Sequence, residues 1–568
     1  MSATSIEKRL LPIIYVRGFA GTENEIEDTV ADPYMGFNLG TTKFKQHHEG
    51  IVRRHYFESP LVRLVKDFGY RDVYSDGAYM PSDRDLCPRP IVIYRYYDGQ
   101  FYDELDEDED GLPPIHSKRK PDKDQIHGKR RDIEDFAAGL GRLILRVRKR
   151  YMDSQEISSE LKAAFKVHLV GHSMGGLIIR SFLQHIGHGG AKVRDRYSPD
   201  WEKRFKEAKE LVDKVFTYAT PHNGIEFEII GNVPSFFSPL DVDNFNRNRM
   251  AEFLDLPSWS VKKGHVNNLR GRFPAERFFT LAGTNHQDYA VLYGWSRRLV
   301  GPMSDGLVRL NNATLLSQAT ESSKVEHSPR AFVHRAHSGH FGIVNSEEGY
   351  QNLTRFLFGD VRVDCAFDVE KITLPAPVQE RMDAGQKVRA SYTIECSVAI
   401  RGLDVPIHTR LANEGSAIFR GYDDLIGNNG KEKRVPILCS IYLRSDTRAR
   451  VNESDPSVAF EMKVAVKVPE YTVDRRLWRD AHYDGAELIS QHIHIAATPP
   501  DLDTSPPRKD WIISYGLPET EVELGVANQT AELKKQGNNH TFEIPLDTTQ
   551  QRVPGIKGKL IFSARRHE

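Results

Sequence analysis

Cysteine is scarce: four residues in 568, Cys87, Cys365, Cys396 and Cys439, with none in a Cys-x-x-Cys pair. They are too few for a disulfide framework, and no His-Glu-x-x-His ligand set accompanies them. Long apolar runs are also missing. The longest near the start, Leu10–Val16, has seven residues and contains Pro12. A helix that crosses a bilayer needs about 20, and a secretory signal needs an apolar core with a cleavage site behind it. A surplus of charge is absent too, since 78 Lys and Arg balance 79 Asp and Glu to a net −1. That balance argues against a general nucleic-acid binder, which must neutralise many phosphates. What remains is a chain with 39% apolar and 10% aromatic residues, enough for a sizeable core and too long for one ordinary domain. The expectation is a soluble, reduced, cytoplasmic protein of two domains. Export by a route without a cleaved signal stays open.

Up to about residue 360 short β-branched runs alternate with helical patterns, as in a parallel sheet covered by helices. The expected strands are Pro12–Val16, Pro90–Arg95, Lys166–Val170, Lys214–Ala219, Arg277–Ala282 and Arg330–Arg335. Several are almost continuously apolar, as strands buried on both faces must be. Between the second and third, Ile133, Phe136, Ala137, Leu140, Ile144 and Val147 follow helical spacing, with Arg142, Arg146, Arg148 and Lys149 on the other face. From 361 to 568 period-2 runs take over: Val361–Val369, Lys387–Ile400, Val435–Leu443, Val458–Val468, His492–Ala497, Trp511–Tyr515, Glu521–Val526, Thr541–Leu546 and Lys557–Ser563. They predict an antiparallel β-sandwich, interrupted by one short helix near Arg475–His482. Two neighbouring stretches carry opposite charge: seven of the eight residues in Asp103–Asp110 are acidic, and His116–Arg131 is rich in Lys and Arg. They read as a solvated loop, with peripheral contact to a membrane surface open for the basic half.

The chemistry is concentrated in one place. Lys166–Val170 runs into Gly171-His172-Ser173-Met174-Gly175 and then into the helical Leu177–Leu183. A Gly-x-Ser-x-Gly sequence between a strand and a helix predicts a tight turn that holds the serine hydroxyl clear of the sheet. Gly171 and Gly175 remove side chains where strand and helix nearly touch. Ser173 then stands at a helix N-terminus, whose dipole favours negative charge. The backbone N–H of Met174 points to the same spot as an oxyanion donor.

With these residues the chain resembles the α/β-hydrolase fold, and within it the lipases and esterases that include bacterial lipases, lecithin–cholesterol acyltransferase-like enzymes and glycosylphosphatidylinositol inositol-deacylase-like hydrolases. Further landmarks follow in order. Val16-Arg17-Gly18-Phe19-Ala20-Gly21 parallels the family's V-H-G-F-x-G oxyanion loop, Thr217–Gly224 its T-P-H-x-G, and Ser304–Val308 and Gly339–Gly342 come last. The resemblance implies a backbone N–H of Phe19 as the second oxyanion donor. Arg17 stands where the family has histidine, and reads either as a structural ion pair or as a holder of a substrate carboxylate or phosphate.

A serine hydroxyl needs a base, and the base an orienting acid. The fold's chain order, Ser then Asp or Glu then His, leaves Asp305, whose Ser-Asp-Gly-Leu-Val setting matches the family's acid, ahead of Asp288. His340, after a glycine and before Phe-Gly-Ile-Val, is where the family places its base. His337 is the alternative, and His334 falls inside the last strand. His222 precedes the acid in the chain and, like Arg17 and His172, is assigned to the lining of the site. Histidines three apart on an extended segment do not share a face, so no metal and no cofactor is expected.

The expected reaction is ester hydrolysis through an acyl-enzyme on Ser173. Insertions at 22–76 and 224–273 are the expected cap. The first carries Phe37 and Phe57. The second carries Phe227, Ile229, Ile230, Val233, Phe236 and Phe237, which suit either an acyl-contacting lid or the cap's own core. The lipase resemblance favours a lipid or phospholipid ester as the small-molecule partner. The rival reading is a binding or delivery protein whose β domain recognises a partner or membrane and whose hydrolase half acts only there.

Overall fold

The computed structural model describes residues 7–18, 32, 34–38, 40–46, 52–75, 78–81, 84–96, 112, 115, 132–225, 245–286, 304–339, 341–427, 430–445, 457–473, 481–500, 507–518, 529–537 and 539–567. The chain divides into two compact units, Met1–Arg330 with Arg335–Leu353, and Ala331–His334 with Thr354–Glu568. The division after Leu353 falls inside the helix Glu347–Phe358. The charged stretches at 103–110 and 116–131 lie outside the described residues.

Seven strands form the central sheet: β1 (Ile13–Val16), β2 (Arg71–Asp72), β3 (Pro90–Tyr94), β4 (Val167–His172), β5 (Val212–Tyr218), β6 (Phe278–Gly283) and β7 (Arg330–Val333). Their order is β7-β6-β5-β4-β1-β3-β2, and the pairs β1–β3, β1–β4, β4–β5, β5–β6 and β2–β3 are parallel. Every residue of β1, β3 and β6 is buried, which is why these segments read as almost continuously apolar runs. Strand β4 sits in the middle, between β1 and β5, so the turn at its carboxyl end opens where an α/β sheet offers a site. This is an α/β-hydrolase-like arrangement.

Helix α1 (Ile133–Asp153) begins at Asp132, whose side chain accepts from the Asp135 N–H in a capping box. Its apolar stripe is buried as the spacing predicts, with Phe136 half-buried. Arg142 and Arg146, expected on a solvent face, are buried as well, at 1% and 6% exposure. The helix packs against α2 (Met174–Ser181) and α3 (Pro199–Glu210), so it is enclosed on more than one side. Arg142 donates to the Leu112 carbonyl at 3.2 Å and lies over the Trp201 ring. The long aliphatic stem lets a guanidinium stay in such a place while its donors find oxygen.

Beyond the end of the helix Glu347–Phe358, the described residues of the second unit form strands and two short helices, Ala376–Asp383 and Tyr422–Ile426. Among the described residues five antiparallel strands, with Val361–Thr373 and Gly555–Arg566 inside the sheet, form one layer; seven, led by Val388–Ile400, Val458–Val473 and Ala481–Thr498, form the other. Their inner faces share one core, in which the Phe460 and Phe562 rings lie 6.2 Å apart, and Cys365 Sγ lies 3.9 Å from Met462 Sδ across it. Cys365, Cys396 and Cys439 are free and buried there. The expected run Glu521–Val526 lies outside the described residues. Of the helix expected near Arg475–His482, residues 475–480 lie outside the described residues, and Ala481 and His482 belong to a strand. Pro406–Arg410 and Ile418–Gly421 are strands the alternation did not reveal; the latter is only four residues long, too short for periodicity to register.

Candidate active site

Strand β4 ends at His172, and α2 begins at Met174. Ser173 between them takes φ 51° and ψ −125°, a conformation that costs a non-glycine residue about 1–3 kcal/mol. The turn is held from both sides. Ser173 N–H donates to the Tyr218 carbonyl at 3.0 Å, and Ser173 C=O accepts from Gly176 N–H at 3.1 Å. Gly175 is required by close approach: a Cβ there would stand 2.1 Å from the Val16 carbonyl oxygen and 2.4 Å from that of Arg17. The obstacle is thus the end of β1, and not the strand that leads into the serine. Met174, first in its helix, has no intrahelical acceptor for its backbone N–H.

Asp305 sits 1% exposed in a loop beyond β6. Its Oδ1 accepts from Leu307 N–H at 3.0 Å and Val308 N–H at 2.7 Å, an Asx-type turn that Gly306 closes with φ 100°. Its Oδ2 lies 3.0 Å from Nδ1 of His337. Nε2 of the same ring lies 3.0 Å from Oγ of Ser173. Because a carboxylate only accepts, Nδ1 carries the proton and Nε2 is left to accept from the serine hydroxyl. All three side chains are buried, with His337 at 3% and Ser173 at 4% exposure.

The imidazole between Ser173 and Asp305 is therefore that of His337, where the sequence reading favoured His340. His340 lies outside the described residues, as does the alternative acid Asp288. The strand is shorter than its pattern suggested. It stops at Val333, leaving His334 outside it and exposed. Ala336 then bridges Gly342, with Gly339 at φ 85° closing the turn. The Ser338-Gly339 pair is the turn signal that could have pointed to the histidine just before it.

Of the residues assigned to the lining, His172 adjoins the site. Its Nε2 lies 3.1 Å from the His337 carbonyl oxygen, and the two rings are 5.1 Å apart. Burial, with a smaller contribution from His337, lowers its pKa to about 3. His222 is instead fully buried in the core, where Nε2 meets Thr217 Oγ1 at 3.1 Å and the carbonyl accepts from Arg180 at 2.8 Å. Burial holds its pKa well below the usual range. Arg17 donates to the Met35 carbonyl at 2.9 Å, a contact to main chain. Phe19 lies outside the described residues. The loop that leads to it is placed by Tyr96, a residue the motifs did not single out: its hydroxyl stands 3.0 Å from the Arg17 carbonyl and 2.9 Å from that of Gly18. A Cβ on Gly18 would come within 2.7 Å of Ser173 Cβ, so this loop abuts the serine.

In the first insertion Phe37 packs on Tyr15 and Phe57 on Phe341; both are buried and serve the core. In the second, the six apolar residues between Phe227 and Phe237 lie outside the described residues. Among the described residues no group of three or more His, Cys, Asp or Glu is arranged to hold a metal ion, and no helix is long and apolar enough to cross a membrane.

No known family model matches this chain, and no curated protein matches it either. Two solved structures align over 61% of the chain at 15% identity. One is the mature lipase BlEst2 of Bacillus licheniformis, of which 90% is covered at a TM-score of 0.26; the other is a protein described as a cell surface hydrolase of Lactobacillus plantarum WCFS1, of which 92% is covered at 0.24. At such scores the fold assignment rests on the chain's own sheet order and on the turn at Ser173.

Proposed function

We propose that the chain is a serine hydrolase of carboxylic esters, with Ser173 as nucleophile, His337 as general base and acid, and Asp305 as the group that orients it. The observation that carries this is the buried relay Ser173 Oγ–His337 Nε2–His337 Nδ1–Asp305 Oδ2, with both contacts at 3.0 Å. His337 takes the hydroxyl proton as Ser173 attacks the ester carbonyl carbon, and Asp305 stabilises the imidazolium that forms. The tetrahedral oxyanion is met by the backbone N–H of Met174, with that of Phe19 proposed as the second donor. As the intermediate collapses, the C–O bond to the alcohol breaks and His337 protonates the leaving oxygen. Water, deprotonated by the same imidazole, then cleaves the acyl-enzyme and frees the carboxylic acid and Ser173.

The finer assignment, to a lipid or phospholipid acyl ester, is supported by the apolar sequence of the second insertion and by the lipase-like motifs. The test is hydrolysis of short-chain, long-chain and phospholipid esters by wild type and Ser173→Ala, with fluorophosphonate labelling in parallel. Wild-type turnover and labelling that both vanish in the variant are expected. Equal turnover by the two proteins would reject the assignment of Ser173.

A further inference from the structure

Each side of the His337 backbone is held by a neighbour of the catalytic groups. Its N–H donates to the carbonyl of Asp305 at 2.9 Å, and its carbonyl lies 3.1 Å from Nε2 of His172. A carbonyl oxygen can only accept, so Nε2 of His172 carries a proton and donates it. We infer that His172 is a positioning residue for the base: its ring, fixed next to the nucleophile in the chain, holds the main chain of His337 and so sets the reach of that imidazole to Ser173.

Three features support this role. His172 immediately precedes Ser173, so any movement of the turn carries both groups together and preserves their spacing. The other edge of the ring is confined as well, because a Cβ on Gly18 would lie 3.2 Å from Nδ1; the ring thus stands between the loop after β1 and the loop that bears His337. Finally, the ring stays neutral. Burial lowers its pKa to about 3, so His172 places no second positive charge beside His337 when that imidazole takes up the serine proton. A protonated ring 5.1 Å away would oppose that step.

This inference rests on the hydrolase reading, and the experiment separates the two. His172→Gln keeps an N–H donor at nearly the reach of Nε2, whereas His172→Phe keeps a ring and loses the donor. Ester turnover and the rate of fluorophosphonate labelling are measured for both and for wild type, together with the final stoichiometry of labelling. The expected result is a kcat and a labelling rate about 10- to 100-fold lower for His172→Phe, the scale of a small misplacement of a catalytic group. KM should be unchanged, labelling should still reach one per chain, and His172→Gln should recover most of the rate. A His172→Phe protein within twofold of wild type would overturn the role. So would Gln and Phe variants that are equally slow, or a loss of labelling stoichiometry in both, which marks a folding defect. If wild type neither turns over esters nor labels, the hydrolase reading falls and this role with it; if wild type does both and only the variants behave otherwise than expected, this role alone falls.

Discussion

His337 and Asp305 are joined twice: the imidazole Nδ1 meets the carboxylate at 3.0 Å, and the main-chain N–H of His337 donates to the main-chain carbonyl of Asp305 at 2.9 Å. The side-chain contact therefore does not depend on two independent loops finding each other. The backbone bond sets their register, and the carboxylate is itself pinned by two backbone N–H groups. This arrangement keeps one tautomer of the imidazole in place.

Replacing Asp305 by Asn should test that tautomer. The amide oxygen can still accept from Leu307 and Val308, so the turn and the fold should survive. The amide nitrogen would face Nδ1 as a donor and turn the imidazole proton toward Ser173. A fall in kcat of about 10⁴ is expected, with an unchanged thermal midpoint. Steady-state ester kinetics and a melting curve check both halves of the statement.

The strain at Ser173 should be visible in stability. Both Ser173→Ala and Ser173→Gly lose the hydroxyl, so both should lose ester turnover by at least about 10³-fold. Only glycine relaxes the backbone at φ 51°. Ser173→Gly should therefore be more stable than Ser173→Ala by about 1 kcal/mol, read as the difference between their denaturant midpoints.

Gly175→Ala should damage both the fold and the site. A Cβ 2.1 Å from the Val16 oxygen meets main chain, which cannot rotate away. The helix must move off β1, at about 1–3 kcal/mol for overpacking, and it carries Ser173 with it. The expected result is a lower unfolding midpoint and a slower rate of fluorophosphonate labelling in the molecules that remain folded.

Acid should destabilise the first unit through its histidines. Burial lowers the pKa of His168 and His185 to about 4 and of His172 to about 3, against 6.5 in an unfolded chain. Between those values the unfolded chain binds protons that the folded one refuses, so stability rises with pH there. The contribution is complete above about pH 6.5 and is lost as pH falls towards 4, at about 1.4 kcal/mol per histidine per pH unit. Chemical denaturation at pH 7.5, 6 and 5 should show a midpoint that falls steeply below pH 6.5. A flat profile would contradict the burial of these rings.

Local information explains what could be read early. β1, β3 and β4 are short, almost continuously apolar runs because both of their faces are covered, and Gly171-His172-Ser173-Met174-Gly175 sits directly between such a run and a helical one. Asp305 was legible through its Ser-Asp-Gly-Leu-Val motif, and its turn is made by the three residues that follow it. In these places the residues that determine the conformation are neighbours in the chain.

Other features depended on contacts between segments far apart in the chain. Which histidine serves Ser173 is decided by where β7 ends and by a backbone bond between residues 305 and 337. Arg142 and Arg146 are buried because α2 and α3 close around α1, which helical periodicity cannot foresee. His222 passed for a site residue because Thr-Pro-His-Asn-Gly lies near the serine in motif order, yet Arg180 and Thr217 hold it in the core. Sequence alone thus marked Ser173, its turn and Asp305, since their geometry is local. Tertiary structure decided which imidazole lies between them and the burial of charge, since both follow from which distant surfaces the sheet and helices bring together.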